Sequence, residues 1–162
     1  MRNLTLAFCL SLPPSLLHAA SVDTWCRPPE ATYFSCTIVG SGKVVALCGT
    51  RQRESLTALQ YRFGKLGHLE LTFPTAHGTP SAHFRLSRYT RYQVTYLTVA
   101  FDNGDYTYEL FSDYNGEGER PEQQRGIRVR HRRAHRTTEY TCQPPVEDRL
   151  GELDRWLPVV DP

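Results

Sequence analysis

Leu59-Gln60-Tyr61-Arg62-Phe63-Gly64-Lys65-Leu66-Gly67-His68-Leu69-Glu70-Leu71-Thr72-Phe73 decides the fold. Apolar side chains at 59, 61 and 63 alternate with polar ones, and the pattern returns at 69, 71 and 73. Alternation with period two marks a strand that buries one face. Lys65-Leu66-Gly67 reads as the turn, with Gly67 as its left-handed residue. This pairing sets Phe63 opposite Leu69, Tyr61 opposite Leu71 and Leu59 opposite Phe73. It also sets Arg62 opposite Glu70, an attractive cross-strand pair. Pro74 ends the second strand.

The same reading extends in both directions. Upstream, Tyr33 to Val39 and Lys43 to Cys48 flank Gly40-Ser41-Gly42, a second hairpin signal. Downstream, Asp102-Asn103-Gly104-Asp105 predicts a type I′ turn that brings Phe101 to Tyr106, Val99 to Tyr108 and Leu97 to Leu110. A further strand is expected over residues 85–92. Residues 113–124 lack apolar periodicity and contain Gly116, Gly118 and Pro121, so they predict an exposed acidic loop. Residues 127–133 resume as a strand that leads through Thr137 and Tyr140 to Cys142. Beyond Pro144-Pro145, Val146, Leu150, Leu153 and Leu157 fall at helical spacing, and Pro158 stops the pattern. The fold class is all-β, an antiparallel sandwich or barrel of about seven to nine strands with a short C-terminal α-helix.

The start of the chain has a different character. Met1-Arg2-Asn3 precedes an apolar stretch from Leu4 to Leu17, followed by His18-Ala19-Ala20-Ser21. This is the layout of a secretory signal peptide over residues 1–20, with cleavage after Ala20 or Ser21. It is too short for a membrane span, which needs ~20 apolar residues. Residues 21–162 then form one domain of about 140 residues, large enough for a core. The expected location is periplasmic or secreted.

Four cysteines remain after the leader: Cys26, Cys36, Cys48 and Cys142. An even number in an exported domain implies disulfides. A three-residue loop at 41–43 would set Cys36 directly opposite Cys48, and a loop ending at Gly42 would set them on a diagonal of the same face. A two-residue turn would put them on opposite faces. The expectation is a Cys36–Cys48 bridge, which leaves Cys26 to Cys142.

Composition narrows the function. Formal net charge is +2, too little for general nucleic-acid binding, where many phosphates must be neutralised. Gly40-Ser41-Gly42-Lys43 lacks both the earlier glycine and the following Ser or Thr of a phosphate loop. No Gly-x-Ser-x-Gly occurs. The mature histidines His68, His77, His83, His131 and His135 have no ligand spacing, so no metal or cofactor is expected. The acidic turns at 102–105 and 113–117 do not follow the calcium-loop order. No catalytic residue is expected.

Residues 125–136 hold six arginines and two histidines. On a strand, Arg128, Arg130 and Arg132 face out with Arg133 beside them, while Ile127 and Val129 face in. Such a stripe protects a sheet edge or recognises anions. The acidic residues Glu117 and Glu119 just before it either fold back on the stripe or protrude towards a partner.

The run Phe34-Ser35-Cys36, Gly42-Lys43-Val44-Val45-Ala46-Leu47-Cys48, Leu59-Gln60-Tyr61-Arg62-Phe63-Gly64 and Glu70-Leu71-Thr72-Phe73-Pro74 resembles small exported bacterial proteins of unassigned function. A looser similarity is to the periplasmic lysozyme inhibitors, whose inhibitory loop motif does not occur here. The resemblance implies a bacterial periplasmic setting and no reaction. Size, export and disulfide rigidity point to a protein-binding protein, an inhibitor or immunity factor against a cell-envelope enzyme or toxin. The rival expectations are a module for an anionic cell-wall polymer, lipopolysaccharide or sugar, using Tyr89, Tyr92 and Tyr114 with the stripe, and a small hydrolase without a sequence signature.

Overall fold

A computed structural model describes residues 21–76 and 78–161. The expected signal peptide and His77 lie outside the described residues. The described residues are mostly β, with ten strands: β1 Ala31–Ile38, β2 Val44–Gln52, β3 Ser55–Lys65, β4 His68–Phe73, β5 Arg85–Arg91, β6 Val94–Asn103, β7 Tyr106–Asn115, β8 Glu122–His131, β9 Arg136–Asp148 and β10 Val159–Val160. They form one sheet in the order β10-β5-β6-β7-β8-β9-β1-β2-β3-β4. Only the β10–β5 pair is parallel.

The sheet curls on itself without closing its hydrogen bonds. Phe73 of β4, on one edge strand, stacks on Phe101 of β6 at 4.5 Å between ring centroids. Phe84, just after the short helix α1, Pro80–His83, that links β4 to β5, packs edge-on against both rings. Inside the curl lies one core, with Phe34, Val45, Leu47, Tyr61, Val99, Phe101, Leu110 and Ile127 at 0–1 % exposure. Aromatic packing across the gap does what a last ladder would do in a closed barrel.

The two ends of the curl differ. At one end, the 3-10 helix Leu150–Arg155 buries Leu150 and Leu153, and Leu157 is buried just beyond it. Trp156 Nε1 donates to Glu54 O and Arg88 Nη2 donates to Gly151 O, which tie this cap to the sheet. The expected α-helix is therefore a shorter 3-10 helix that caps the sheet. Val146 belongs instead to β9. Leucines three apart suit three residues per turn. At the opposite end lie the turns at residues 39–42, 66–67, 104–105 and 132–135.

The bridges are Cys26–Cys48 and Cys36–Cys142, not the expected pairing. Ile38 N–H donates to Lys43 O at 2.8 Å, so the β1–β2 turn holds four residues, with left-handed Gly40 and Gly42 inside it. Cys36 then faces Val45. An even-numbered turn sends Cys36 and Cys48 to opposite faces. Cys36 points into the core and meets Cys142 of the neighbouring β9. Cys48 points outward, where residues 21–30 lie across the sheet. Ser35 Oγ donates to Asp23 O, Trp25 Nε1 donates to Val44 O, and Arg62 holds Glu30 with both guanidinium nitrogens at 2.6–2.7 Å. This layer explains why Val44 to Gly49 are buried on both faces.

Other registers also differ from expectation. Phe63 pairs with Leu71 and Tyr61 with Phe73, two residues from the expected partners, around a turn at 66–67. Arg62 therefore takes Glu30, and Glu70 takes Lys43 at 2.6 Å. Phe101 pairs with Tyr108 and Asn103 with Tyr106, again a shift of two. The acidic loop is shorter than expected, because Asp113 pairs with Gln124 and Asn115 with Glu122, leaving residues 116–121.

Candidate functional site

The open end is where inward-facing side chains meet solvent. In a curled sheet, residues nearest the turns form its mouth, and here those are largely aromatic. Tyr61 and Phe63 come from β3, Leu71 from β4, Tyr108 from β7, Val129 from β8 and Tyr140 from β9. They line a cleft of about 470 Å³. Its floor is an aromatic stack in which Tyr108 lies on Phe101 at 4.9 Å, and Tyr61 lies 4.9 Å from Phe101 and 5.9 Å from Tyr108. The cleft is of the size that takes one large side chain or a small ligand.

Burial raises the Tyr61 hydroxyl well above the ordinary phenol range, with Tyr108 and Tyr140 adding to the shift. Burial also raises Tyr108, helped by Tyr106 and Tyr140. These phenols stay neutral at physiological pH and offer O–H donors inside an apolar wall. At the rim, Lys43 Nζ sits 2.6 Å from Glu70 Oε2 and 5.3 Å from the Phe63 ring centre.

A second cleft of about 330 Å³ adjoins the first, and Val129 and Tyr140 line both. Tyr106, His131 and Arg136 complete it. His131 packs edge-on against Tyr106 at 4.8 Å, and its Nδ1 accepts a hydrogen bond from the Ala134 N–H. Among the described residues, no carboxylate lies within ion-pair distance of Arg136.

The arginine stripe is split between the outer face of β8 and the turn at the open end, and it is largely neutralised. On the outer face of β8, Arg128 contacts Asp113 at 2.6 Å and Glu139 at 2.8 Å, and Arg130 reaches Glu109 at 3.5 Å. In the following turn, Arg132 donates to Gly104 O, and Arg133 reaches Asp105 at 3.1 Å. Glu117 pairs with Arg91, not with the stripe, which holds its carboxyl below the usual range. Glu119 is exposed in the 116–121 turn. Of the six expected binding residues, Arg128 and Arg130 thus lie on the outer face of β8, Arg132 and Arg133 in the β8–β9 turn, and Glu117 and Glu119 in the β7–β8 turn.

Tyr106, Tyr108, Tyr140 and Lys43 were not singled out from sequence. Their sequence signal was limited to alternation within single strands and, for Lys43, a place beside a turn, and the curl that gathers them is not legible there. Among the described residues, no three His, Cys, Asp or Glu side chains are placed to hold a metal ion. No helix of the described chain is long and apolar enough to cross a membrane. Two disulfides are consistent with an extracytoplasmic protein. No protein-family model, no curated protein and no solved structure matches the chain.

Proposed function

We propose, from the geometry alone, that the chain is a non-enzymatic binding protein of the periplasm or the secreted fraction. It inhibits or neutralises another envelope protein by taking an apolar side chain of that partner into its open end. The observation that carries this is the asymmetry of the ends: a 3-10 helix caps one, while the other presents a tyrosine-lined cleft to solvent. Tyrosine suits such a surface because it contributes large area with little conformational freedom to lose. Cys36–Cys142 joins β1 to the wall strand β9, and Cys26–Cys48 ties the N-terminal layer to β2, which lowers the ordering cost of association. The mouth's carboxylate, Glu70, is already paired with Lys43, which favours binding over acid–base chemistry.

The test is retention of envelope proteins on the immobilised, oxidised protein. A specific partner should be retained by the wild type and by Arg130→Glu, and lost with Tyr140→Ala. Retention that depends on Arg130 and ignores Tyr140 would overturn the reading.

One observation favours a second reading, a sugar-binding face. Tyr89 and Tyr96 stack at 5.9 Å on the outer surface and are 42 % and 40 % exposed. Paired rings of this kind suit the apolar face of a pyranose. Binding to cell-wall glycan that is lost with Tyr96→Ala would support it.

A further inference from the structure

The two clefts at the open end differ in chemistry, and from this difference we infer what the partner presents there: an acidic segment carrying an aromatic or large aliphatic side chain. The inference rests on the proposed use of the mouth and specifies its occupant. The first cleft is apolar and aromatic, walled by Phe63, Leu71, Tyr108 and Val129. The second, reached across Val129 and Tyr140, holds Arg136, which has no carboxylate partner among the described residues, beside His131 and Tyr106. An apolar group anchored in the first therefore has a cation beside it.

The surrounding rim has the same sign. Lys65 stands at the β3–β4 turn, and Arg132 and Arg133 at the β8–β9 turn. Against them at this end stand Glu70, Asp102 and Asp105, each already in an ion pair with Lys43, Arg85 or Arg133. A basic rim attracts an acidic segment and disfavours a basic one. A guanidinium with no carboxylate partner binds a carboxylate with charge-assisted hydrogen bonds. On the outer face, by contrast, Arg128 and Arg130 are both matched by carboxylates.

The test is selection of displayed random peptides on the oxidised protein. The wild type should enrich peptides with Trp, Phe, Tyr or Leu flanked by Asp or Glu. A synthetic peptide of the enriched sequence should bind about tenfold more weakly to Arg136→Glu, as expected for loss of one charge-assisted contact. It should also lose affinity for Tyr140→Ala and keep it for Arg130→Glu, and high salt should weaken it. Dodecanoate serves as a competitor. Displacement of the peptide by dodecanoate at lower concentration than by the peptide itself would overturn the assignment in favour of an acyl ligand. Enrichment of apolar peptides without acidic residues, still dependent on Tyr140, would overturn the inference and leave the proposed function standing. No Tyr140-dependent enrichment would overturn both.

Discussion

Arg128 lies against the ring of Phe111, with its guanidinium carbon 3.7 Å from the ring centre. Phe111 belongs to the outer face of the sheet, where a phenylalanine would normally be wet, yet it is fully buried. The arginine is its cover. Asp113 and Glu139 hold that cover in place from the strands on either side. The most conspicuous arginine of the stripe is thus a structural lid over an outer-face apolar residue.

Arg128→Ala should therefore destabilise the fold by about 2 kcal/mol, through lost cation–π contact, an exposed ring and two carboxylates left facing one another. Arg128→Lys should recover only part of this, because an ammonium does not lie flat on a ring. Urea unfolding measures both. A loss no larger than for Arg130→Ala would contradict the lid role.

The bridges can be read chemically. Pro28 follows Arg27, so trypsin leaves Cys26 and Cys36 on one fragment. Adding a protease that cuts after Glu30 separates them. Mass spectrometry without reduction should find the fragment ending at Glu30 joined to the one that carries Cys48. The closed spans are 22 and 106 residues. Chain entropy then predicts a loss of roughly 3 kcal/mol for Cys26→Ser with Cys48→Ser, and nearer 5 kcal/mol for Cys36→Ser with Cys142→Ser.

Acid should weaken the N-terminal layer. Burial tends to raise the Glu30 pKa, but hydrogen bonds from Arg62 and the Arg27 N–H, with their charges, outweigh it, and the net shift is downward. A depressed carboxylate contributes stability above its unfolded pKa, about 4.3, and loses it as pH falls through the folded value. Glu30→Gln should be less stable at neutral pH and lose less of its stability towards about pH 3. Urea midpoints across that range measure this, and parallel curves for the two proteins would refute it.

Gly126 is a packing glycine. A Cβ there would stand 2.1 Å from the Tyr140 carbonyl oxygen and 3.0 Å from the Phe111 ring. Gly126→Ala should cost about 2 kcal/mol or more and lower Tm by about 4–8 °C. A thermal melt decides it, and an unchanged Tm would show that the strands can part at no cost.

How far the sequence could be read depends on parity. Side-chain alternation identified the Tyr61–Phe63 and Leu71–Phe73 faces and the strand after Asn103-Gly104. A slip of two residues keeps every side chain on its face, so the pattern could not tell Phe63–Leu69 from Phe63–Leu71. At β1–β2 the slip was three, from Cys48 to Val45 opposite Cys36, and an odd slip exchanges faces. That is why the disulfides came out differently while the hydrophobic faces did not. The layer formed by residues 21–30 hid the clue, because it makes both faces of β2 apolar. The arginine stripe was visible as composition, but its neutralisation by Glu109, Asp113 and Glu139 depends on cross-strand neighbours. The mouth was hidden for a related reason: Tyr61, Tyr108 and Tyr140 come from three strands, and only the curl brings them together.

The most direct test of the open end as the binding surface is site-specific photocrosslinking in cells. A photoreactive phenylalanine analogue replaces Tyr140 at the mouth in one variant and Arg130 on the outer face in another. The account predicts a discrete protein adduct from position 140 and none from position 130. An adduct from position 130 alone would contradict it and return the function to the arginine-bearing face.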